Sequence, residues 1–222
     1  VQLKDMRLVS MRHRDNIMNK AMSQLGQDEW VIEQTNNKRD GYFVEIGAYD
    51  GKTLSNTYLL EKEYGWSGIC AECNPETIPQ LINNRSCVIE TRALMHKNNL
   101  NVPFYSAEDP LLSMVFMYSS MENVATKEVL YPQHIVKTVT INEMLKAHNA
   151  PTDIDYISVD AEGMELFIVT VFDFQKYNVK YWTVEVQDNT ENAAYLRQFF
   201  YYHGYESEVR DWDLFVWRED DR

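Results

Sequence analysis

Gly41-Tyr-Phe-Val-Glu-Ile-Gly-Ala-Tyr-Asp-Gly51 is the stretch from which the fold of this chain can be read. Tyr42, Phe43 and Val44 run into Glu45 and Ile46, and side chains then vanish at Gly47, Ala48 and Gly51. A short apolar run that breaks into glycines predicts a buried parallel strand entering a tight turn. Beyond it, Leu54, Tyr58, Leu59 and Lys62 fall at helical spacing and predict a helix over residues 52–63. Strand, glycine turn and helix make a nucleotide-type site, because glycine lets backbone N–H groups approach a ligand that the helix N-terminus faces. A dinucleotide fingerprint needs G-x-G-x-x-G, whereas here three residues separate Gly47 from Gly51 and acids stand at Glu45 and Asp50. Two carboxylates would repel a pyrophosphate but suit a ligand with an ammonium group and ribose hydroxyls, the chemistry of S-adenosylmethionine. An ordinary βα turn with solvated acids is the competing reading.

Upstream, residues 1–22 scatter Leu3, Met6, Leu8, Val9, Met11, Ile17, Met18 and Met22 among basic residues and predict one or two helical turns. Trp30, Val31 and Ile32 mark a second short helix over 29–33, so residues 1–40 read as an N-terminal helical extension to a domain over 41–222. Downstream, a turn at Gly65–Gly68 leads to a second buried strand over 69–72 that ends in Glu72. In sheets of this type an acid at the second strand's tip takes both ribose hydroxyls; a helix cap or surface acid is the plainer alternative. Asn74-Pro75 opens a helix through Leu81 and Ile82, and residues 86–90 form the third strand. Residues 96–133 are irregular apart from a strand at 102–105, and read as a lid or acceptor-binding region or else a surface loop. A strand over 134–140 and a helix over 141–148 follow. The fourth core strand, 153–160, ends in Asp160, and a turn through Glu162 and Gly163 enters a helix to Phe172. The fifth strand spans 179–186, a helix 191–202 stops at Gly204, and residues 205–209 and 213–217 close as a hairpin. Alternating β and α units predict a mainly parallel sheet with helices on both faces, and the hairpin adds antiparallel pairing at an edge.

Composition narrows the function. At 222 residues, 45% hydrophobic and 25% charged, the chain has the values of one globular domain. Its 34 acids against 21 bases leave a net charge of −13, which argues against phosphate-backbone binding and so against a nucleic-acid partner. No apolar run approaches the roughly 18 residues of a membrane span, and no signal peptide opens the chain. Cys70, Cys73 and Cys87 are an odd set without a second Cys-x-x-Cys pair, and read as core thiols in a reducing, cytoplasmic compartment. The start at Val1 rather than Met reads as a domain excised from a longer chain, with neighbouring domains as its partners.

Several short sequences together resemble one family. Ser23-Gln-x-x-Gln-Asp28, Phe43-Val-Glu-Ile-Gly-Ala-x-Asp-Gly51, Ser55-Asn-Thr57, Gly65-Trp-x-Gly-Ile69 running to Glu72-x-Asn-Pro75, Arg92-Ala-Leu94 and Ile154-Asp-Tyr-Ile-Ser-Val-Asp-x-Glu-Gly-x-Glu165 are similar to FkbM-type methyltransferases, in the family's order. The pattern departs at Ala161, where a larger apolar residue is frequent, and at Cys73, where Pro often sits. The resemblance implies an α/β class I methyltransferase (Rossmann-like) fold, with a mainly parallel seven-stranded sheet, helices on both faces and a C-terminal antiparallel hairpin. It also implies S-adenosylmethionine as donor and O-methylation of a sugar or natural-product hydroxyl.

The cofactor site so implied takes Gly47, Ala48 and Gly51 as room for the methionine and ribose. Glu45 and Asp50 face the ammonium or fix the loop, with Tyr49, Ser55 and Asn56 beside them. Glu72 holds the ribose, Cys73 and Asn74 flank the adenine, Gln24 and Asp28 close over the ligand from the N-terminal segment, and Asp160 borders it. Methyl transfer needs the acceptor oxygen aligned and a proton removed, which makes Asp160, Glu162 and Glu185 the catalytic candidates. Asp160, Asp188 and Asn189 are similar to the metal ligands of catechol-type O-methyltransferases, where Mg²⁺ or Mn²⁺ lowers a hydroxyl's pKa; a helix N-cap explains Asp188 and Asn189 equally. His134 and His203 are weaker candidates for a base. The expected activity is an S-adenosylmethionine-dependent O-methyltransferase acting on a small-molecule or glycan acceptor, a carbohydrate or related polyol. A nicotinamide-dependent oxidoreductase and a non-catalytic S-adenosylmethionine-binding domain are the alternatives.

Overall fold

Phe43, Val44 and Ile46 are buried in β1 (Tyr42–Ile46), at the middle of the main sheet. The computed structural model describes residues 21–105, 114–115, 134–187 and 189–218. Successive side chains of a strand face opposite layers. Accordingly Val44 and Ile46 join one core cluster, with Val159, Trp182 and Phe200, while Phe43 joins the other, with Trp30, Leu60, Tyr156 and Phe215. Glu45 shares the Phe43 face and is buried there.

The elements in order are α1 (Gln27–Gln34), β1, α2 (Tyr58–Tyr64), β2 (Ser67–Ala71), α3 (Ile78–Asn84), β3 (Val88–Glu90), β4 (Ala93–Leu94), β5 (Asn101–Tyr105), β6 (Met114–Val115), β7 (His134–Val139), α4 (Ile141–Ala147), β8 (Asp153–Val159), α5 (Glu165–Val169), β9 (Asn178–Glu185), α6 (Thr190–Tyr202), β10 (Tyr205–Arg210) and β11 (Asp213–Arg218). Seven strands make the main sheet in the order β10-β11-β9-β8-β1-β2-β3, parallel except that β11 runs antiparallel to β9 and to β10. This is the mainly parallel sheet with a terminal antiparallel hairpin that the sequence predicts. The chain leaves β1 toward β2 and β3 and later returns to the other flank of β1 with β8. Between β1 and β8 the winding reverses, and open sheets of this kind bind ligands at the carboxyl ends beside that switch.

A second sheet, β4-β7-β5-β6, contains both strands expected over 102–105 and 134–140 and adds the short β4 and β6. The expected lid falls mostly on residues outside those described, as do all but the last two residues of the helical turns expected over 1–22. In α1, Trp30 packs edge-on against Tyr181 and Phe215 at 5.6 and 5.0 Å, so this part of the expected extension shares a core with the sheet. Among the described residues no helix is long and apolar enough to cross a membrane.

The helix expected over 52–63 begins only at Tyr58. Asp50 Oδ1 accepts the N–H groups of Lys52 and Thr53 at 2.8 and 2.7 Å, and Leu54 lies at φ 56°, outside helical backbone. Glu45 then accepts from Ser55 Oγ, Asn56 N and Thr57 Oγ1 at 2.7–3.0 Å. Local capture by side chains competes with helix, and here it wins. Arg85, the residue closing α3, completes the network: Nη1 donates to Glu45 at 3.0 Å, Nε to Glu61 at 2.6 Å and Nη2 to Thr57 Oγ1 at 2.7 Å.

Removing one partner of a buried ion pair strands the other charge. Arg85→Ala is expected to lower unfolding free energy by about 3–5 kcal/mol in chemical denaturation. Glu61 adds an acid-side signature. Burial alone would raise its pKa, but hydrogen bonds from Lys62 and Arg85 hold it down at about 2. A depressed carboxyl stabilises above its ordinary 4.5 and loses that contribution as pH falls toward about 2. Denaturation of Glu61→Gln across this window should show a shallower acid loss than the parent.

Candidate active site

A cavity of about 490 Å³ opens at the carboxyl ends of β1, β2, β8 and β9, at the switch in strand order. Gly47 (φ 84°) and Ala48 follow β1 and donate their N–H groups to the Ala71 carbonyl at 3.0 and 3.1 Å, folding the turn back toward β2. A Cβ on Gly47 would collide with the carbonyl oxygen of Asp160, so the glycine lets the ends of β1 and β8 approach. Gly51 (φ 78°) serves a different purpose from the one expected. Its missing side chain makes room for Leu81 and Arg85, 2.5 and 2.7 Å from where a Cβ would stand, and it does not line the cavity.

Of the residues the sequence nominates for the cofactor, Gln24, Glu45, Gly47, Ala48, Tyr49, Ser55, Asn56, Glu72, Cys73 and Asp160 line this one space. Asp50, Asp28 and Asn74 are absent from the lining, each engaged in local structure. Asp50 holds the 50–53 turn. Asp28 accepts from Met22 N at 2.9 Å and from Ser23 Oγ, and Asn74 Oδ1 accepts from Glu76 N at 3.0 Å. Glu45 reaches the wall but is committed to Ser55, Asn56, Thr57 and Arg85, so of its two expected roles the geometry realises loop fixation.

Glu72 sits just beyond β2, with one oxygen accepting Tyr49 N at 2.9 Å and the other Asn74 N at 2.7 Å. A carboxylate has about four acceptor sites and these donors do not fill them, so the group is oriented without being saturated. Burial raises its pKa despite those N–H donors. Asn56 donates Nδ2–H to Ser158 Oγ at 2.8 Å, while its buried Oδ1 has no partner among the described residues. An unpaired buried acceptor costs about 1–3 kcal/mol, and a ligand N–H or O–H donor would remove that cost.

On the β8–β9 side, Asp160, Glu162 and Glu185 bring carboxylate oxygens within 4.8 Å of one another. Glu165 accepts the N–H groups of Ala161 and Gly163 at 2.8 and 3.1 Å and so holds the 160–163 turn, in which Glu162 lies at φ 50°. Left-handed backbone at a non-glycine costs about 1–2 kcal/mol, and such residues cluster at functional sites. Burial and then the like charges of Glu185, Glu162, Glu165 and Asp213 push Asp160 well above the usual carboxylate range. Glu185 is raised too, chiefly by burial, with a hydrogen bond to Asp160 acting the other way. Two buried carboxyls this close disfavour being charged together.

Of the metal set expected from sequence, Asn189 caps α6 through Oδ1, accepting Asn192 N at 3.0 Å, and Asp188 lies outside the described residues. Asp160 meets Glu162 and Glu185. Neither histidine reaches the cavity: His134 faces Glu76 at 3.3 Å and His203 stacks on Phe174 at 4.1 Å.

Sequence reasoning missed Gln27, Arg92, Phe104, Ser158, Trp212 and Asp213, which also line the space. Gln27, Arg92 and Ser158 stand within the motifs quoted above, and Asp213 opens a predicted strand, but its pairing opposite Glu185 is a matter of tertiary register. Six carboxylates, of Glu45, Glu72, Asp160, Glu162, Glu185 and Asp213, face the cavity against the single guanidinium of Arg92 among the described residues. That guanidinium is already paired with Glu90, through Nε at 2.8 Å and Nη2 at 2.5 Å. The cavity is electronegative.

Comparison with known proteins adds a family. The model of the methyltransferase FkbM domain matches residues 45–207. No curated protein sequence matches significantly. Among solved structures, precorrin-6y C5,15-methyltransferase from Geobacter metallireducens is 11% identical, with a TM-score of 0.48 and coverage of 86% of this chain and 88% of its own. The METTL16 methyltransferase domain is 13% identical, with a TM-score of 0.48, coverage of 86% of this chain and 65% of its own. A human methyltransferase 10 domain containing protein is 12% identical at a TM-score of 0.46, over 87% and 80% of the two chains.

The acids leave a mark on stability. Burial raises Asp213 to about 6 and outweighs the Gln27 Nε2–H donated to it at 2.8 Å. A carboxyl held above its ordinary 3.8 resists charging in the folded state, so its contribution is present below 3.8 and is lost as pH rises through about 6. Asp213→Asn is expected to remove that loss, worth up to about 3 kcal/mol, and to flatten the stability profile measured by denaturation over this window.

Proposed function

The chain belongs to the FkbM methyltransferase family and is an S-adenosylmethionine-dependent methyltransferase of class I fold; from that premise we propose that it methylates a hydroxyl oxygen of a carbohydrate or related small polyol. The observation that carries the reading is the cavity wall at the sheet's switch point, five acids besides the Arg85-paired Glu45, against one lining cation already paired with Glu90. Such a wall favours a ligand with cationic sulfonium and ammonium groups and disfavours the pyrophosphate of a nicotinamide cofactor. The residues present fit S-adenosylmethionine: Asn56 Oδ1 is an acceptor in want of a donor, and Glu72 keeps lone pairs for a ribose diol. Bound there, the cofactor supplies a methyl group already activated on sulfur.

The protein has then to orient the acceptor and take its proton. In this reading Asp160 and Glu185 would receive the acceptor's hydroxyl proton, while the cofactor held beside Glu72 and Asn56 would supply the methyl group. Glu162 lies within reach of both and receives a second hydroxyl. The acceptor is a small molecule or glycan, and a reducing, cytoplasmic setting belongs to the same reading.

Glu72→Ala is expected to weaken S-adenosylmethionine about 10- to 100-fold by calorimetry, the loss of a charged acceptor. Asp160→Asn with Glu185→Gln should lower turnover at saturating donor about 10²–10⁴-fold. Parent-like affinity in the first variant would overturn the ribose assignment, and parent-like turnover in the second the catalytic one. Labelled donor screened against sugars and polyols identifies the acceptor class. One second reading is favoured by the convergence of three carboxylates: a divalent cation, Mg²⁺ or Mn²⁺, held by Asp160, Glu162 and Glu185 in place of the direct base. Activity lost to EDTA and restored by the cation selects it, and indifference to exhaustive chelation selects the base.

A further inference from the structure

Trp30, Trp66, Trp182 and Trp217 are all buried, whereas Trp212 is 49% exposed. It occupies the two-residue turn between β10 and β11, where Arg210 pairs with Asp213, and it lines the same cavity as Asp160, Glu162 and Glu185. The turn is fastened. The Trp212 carbonyl accepts two N–H groups from the segment after β9, Val186 at 2.8 Å and Gln187 at 3.1 Å, and Val186 is itself buried. Through those bonds the indole's backbone anchor is tied to the strand that carries Glu185. A large apolar ring half in water forgoes much of its burial free energy, and an indole held at the rim of a polar cavity is a ready contact for a ligand.

We propose that Trp212 is the platform on which the acceptor rests, and that the acceptor is accordingly a ring-shaped, neutral polyhydroxylated molecule, a pyranose or furanose sugar, rather than an open-chain polyol. A sugar ring has an apolar face of C–H groups and a rim of hydroxyls. The face lies against the indole, and the rim hydroxyls donate to the carboxylates of Glu162, Asp160 and Glu185. A flexible open-chain polyol offers the hydroxyls without the flat apolar face. A simple amine would be drawn to the same carboxylates, but it would lie beside a cationic cofactor. Trp212 therefore acts in specificity, with no part in proton removal. This inference rests on the methyl-transfer reading only for the presence of the donor beside the acceptor.

The test uses the intact chain loaded with S-adenosylhomocysteine, whose affinity is first measured by calorimetry. Because the other tryptophans are buried, acrylamide quenching of tryptophan emission reports mainly on Trp212. Methyl glycosides of common hexoses, pentoses and 6-deoxyhexoses serve as probes, with sorbitol as the open-chain control. At least one glycoside is expected to shield the emission and to bind at least tenfold more tightly than sorbitol. Trp212→Ala should weaken that glycoside at least tenfold with the calorimetric affinity and melting temperature unchanged, and Trp212→Phe should restore part of it. The proposal is overturned if no glycoside shields Trp212, if sorbitol binds as well as the glycosides, or if Trp212→Ala binds the glycoside like the parent. Failure of S-adenosylhomocysteine to bind the parent would instead tell against the methyl-transfer reading, so the two failures are distinguishable.

Discussion

The buried ion pair between Glu45 and Arg85 is the constraint on which the site depends. Taking two charges out of water costs several kcal/mol each, and only near-complete hydrogen bonding offsets it. Here Glu45 accepts from Ser55, Asn56, Thr57 and Arg85, while Arg85 also donates to Glu61, to the Gly51 carbonyl at 3.1 Å and to Ser55 Oγ at 3.1 Å. Apart from Cys70 on β2, whose Sγ lies 3.5 Å from Glu45, every partner lies in the 51–61 segment or on the strand before it. The pair therefore determines the path of the chain after the glycine turn, holding it as a loop where the apolar spacing alone favours helix. That loop carries Asn56 to the cavity with one amide group bonded and its oxygen unpaired.

A second consequence is the division of labour among the acids. The strand alternation that turns Glu45 toward Arg85 gives it a cation, and Glu61 shares the same guanidinium. On the far side of the switch point, Asp160, Glu185 and Asp213 have no such partner among the described residues; burial raises all three, and the charge of Glu185 adds to the rise at Asp160 and Asp213. The protein thus holds one set of carboxylates as structural charges and another poised to share or exchange protons. A cationic ligand entering the cavity would relieve the second set and leave the first untouched. Binding and proton affinity at Asp160 and Glu185 are for that reason coupled.

Much of the architecture was legible in the sequence, because strands buried on both faces read as unbroken apolar runs. Phe43-Val44, Ile69-Cys70-Ala71, Ile157-Ser158-Val159 and Thr183-Val184 appear where such runs predict, and their order implies the parallel sheet and its hairpin. Acids that follow those runs directly, Glu72 and Asp160, were visible for the same reason: period and polarity are local properties. The tight turn at Gly47 was legible too, since only glycine tolerates φ 84° with the Asp160 carbonyl so near.

What only the tertiary structure decided is how residues far apart in sequence share space. Gly51 reads as room for a ligand, yet the room is filled by Leu81 and Arg85 from α3. Asn189 reads equally as ligand or cap, and the fold places its Oδ1 at 3.0 Å from Asn192 N, in the cap position. Asp213 and Trp212 carry no motif, and reach the site because β11 pairs antiparallel with β9 in the register that sets Asp213 against Glu185. That register is decided by burial of Leu214 and Val216 in one layer and Phe215 in the other, an energy summed over the whole sheet. Local pattern encodes which segments are strands. Only packing encodes which side chains those strands bring together.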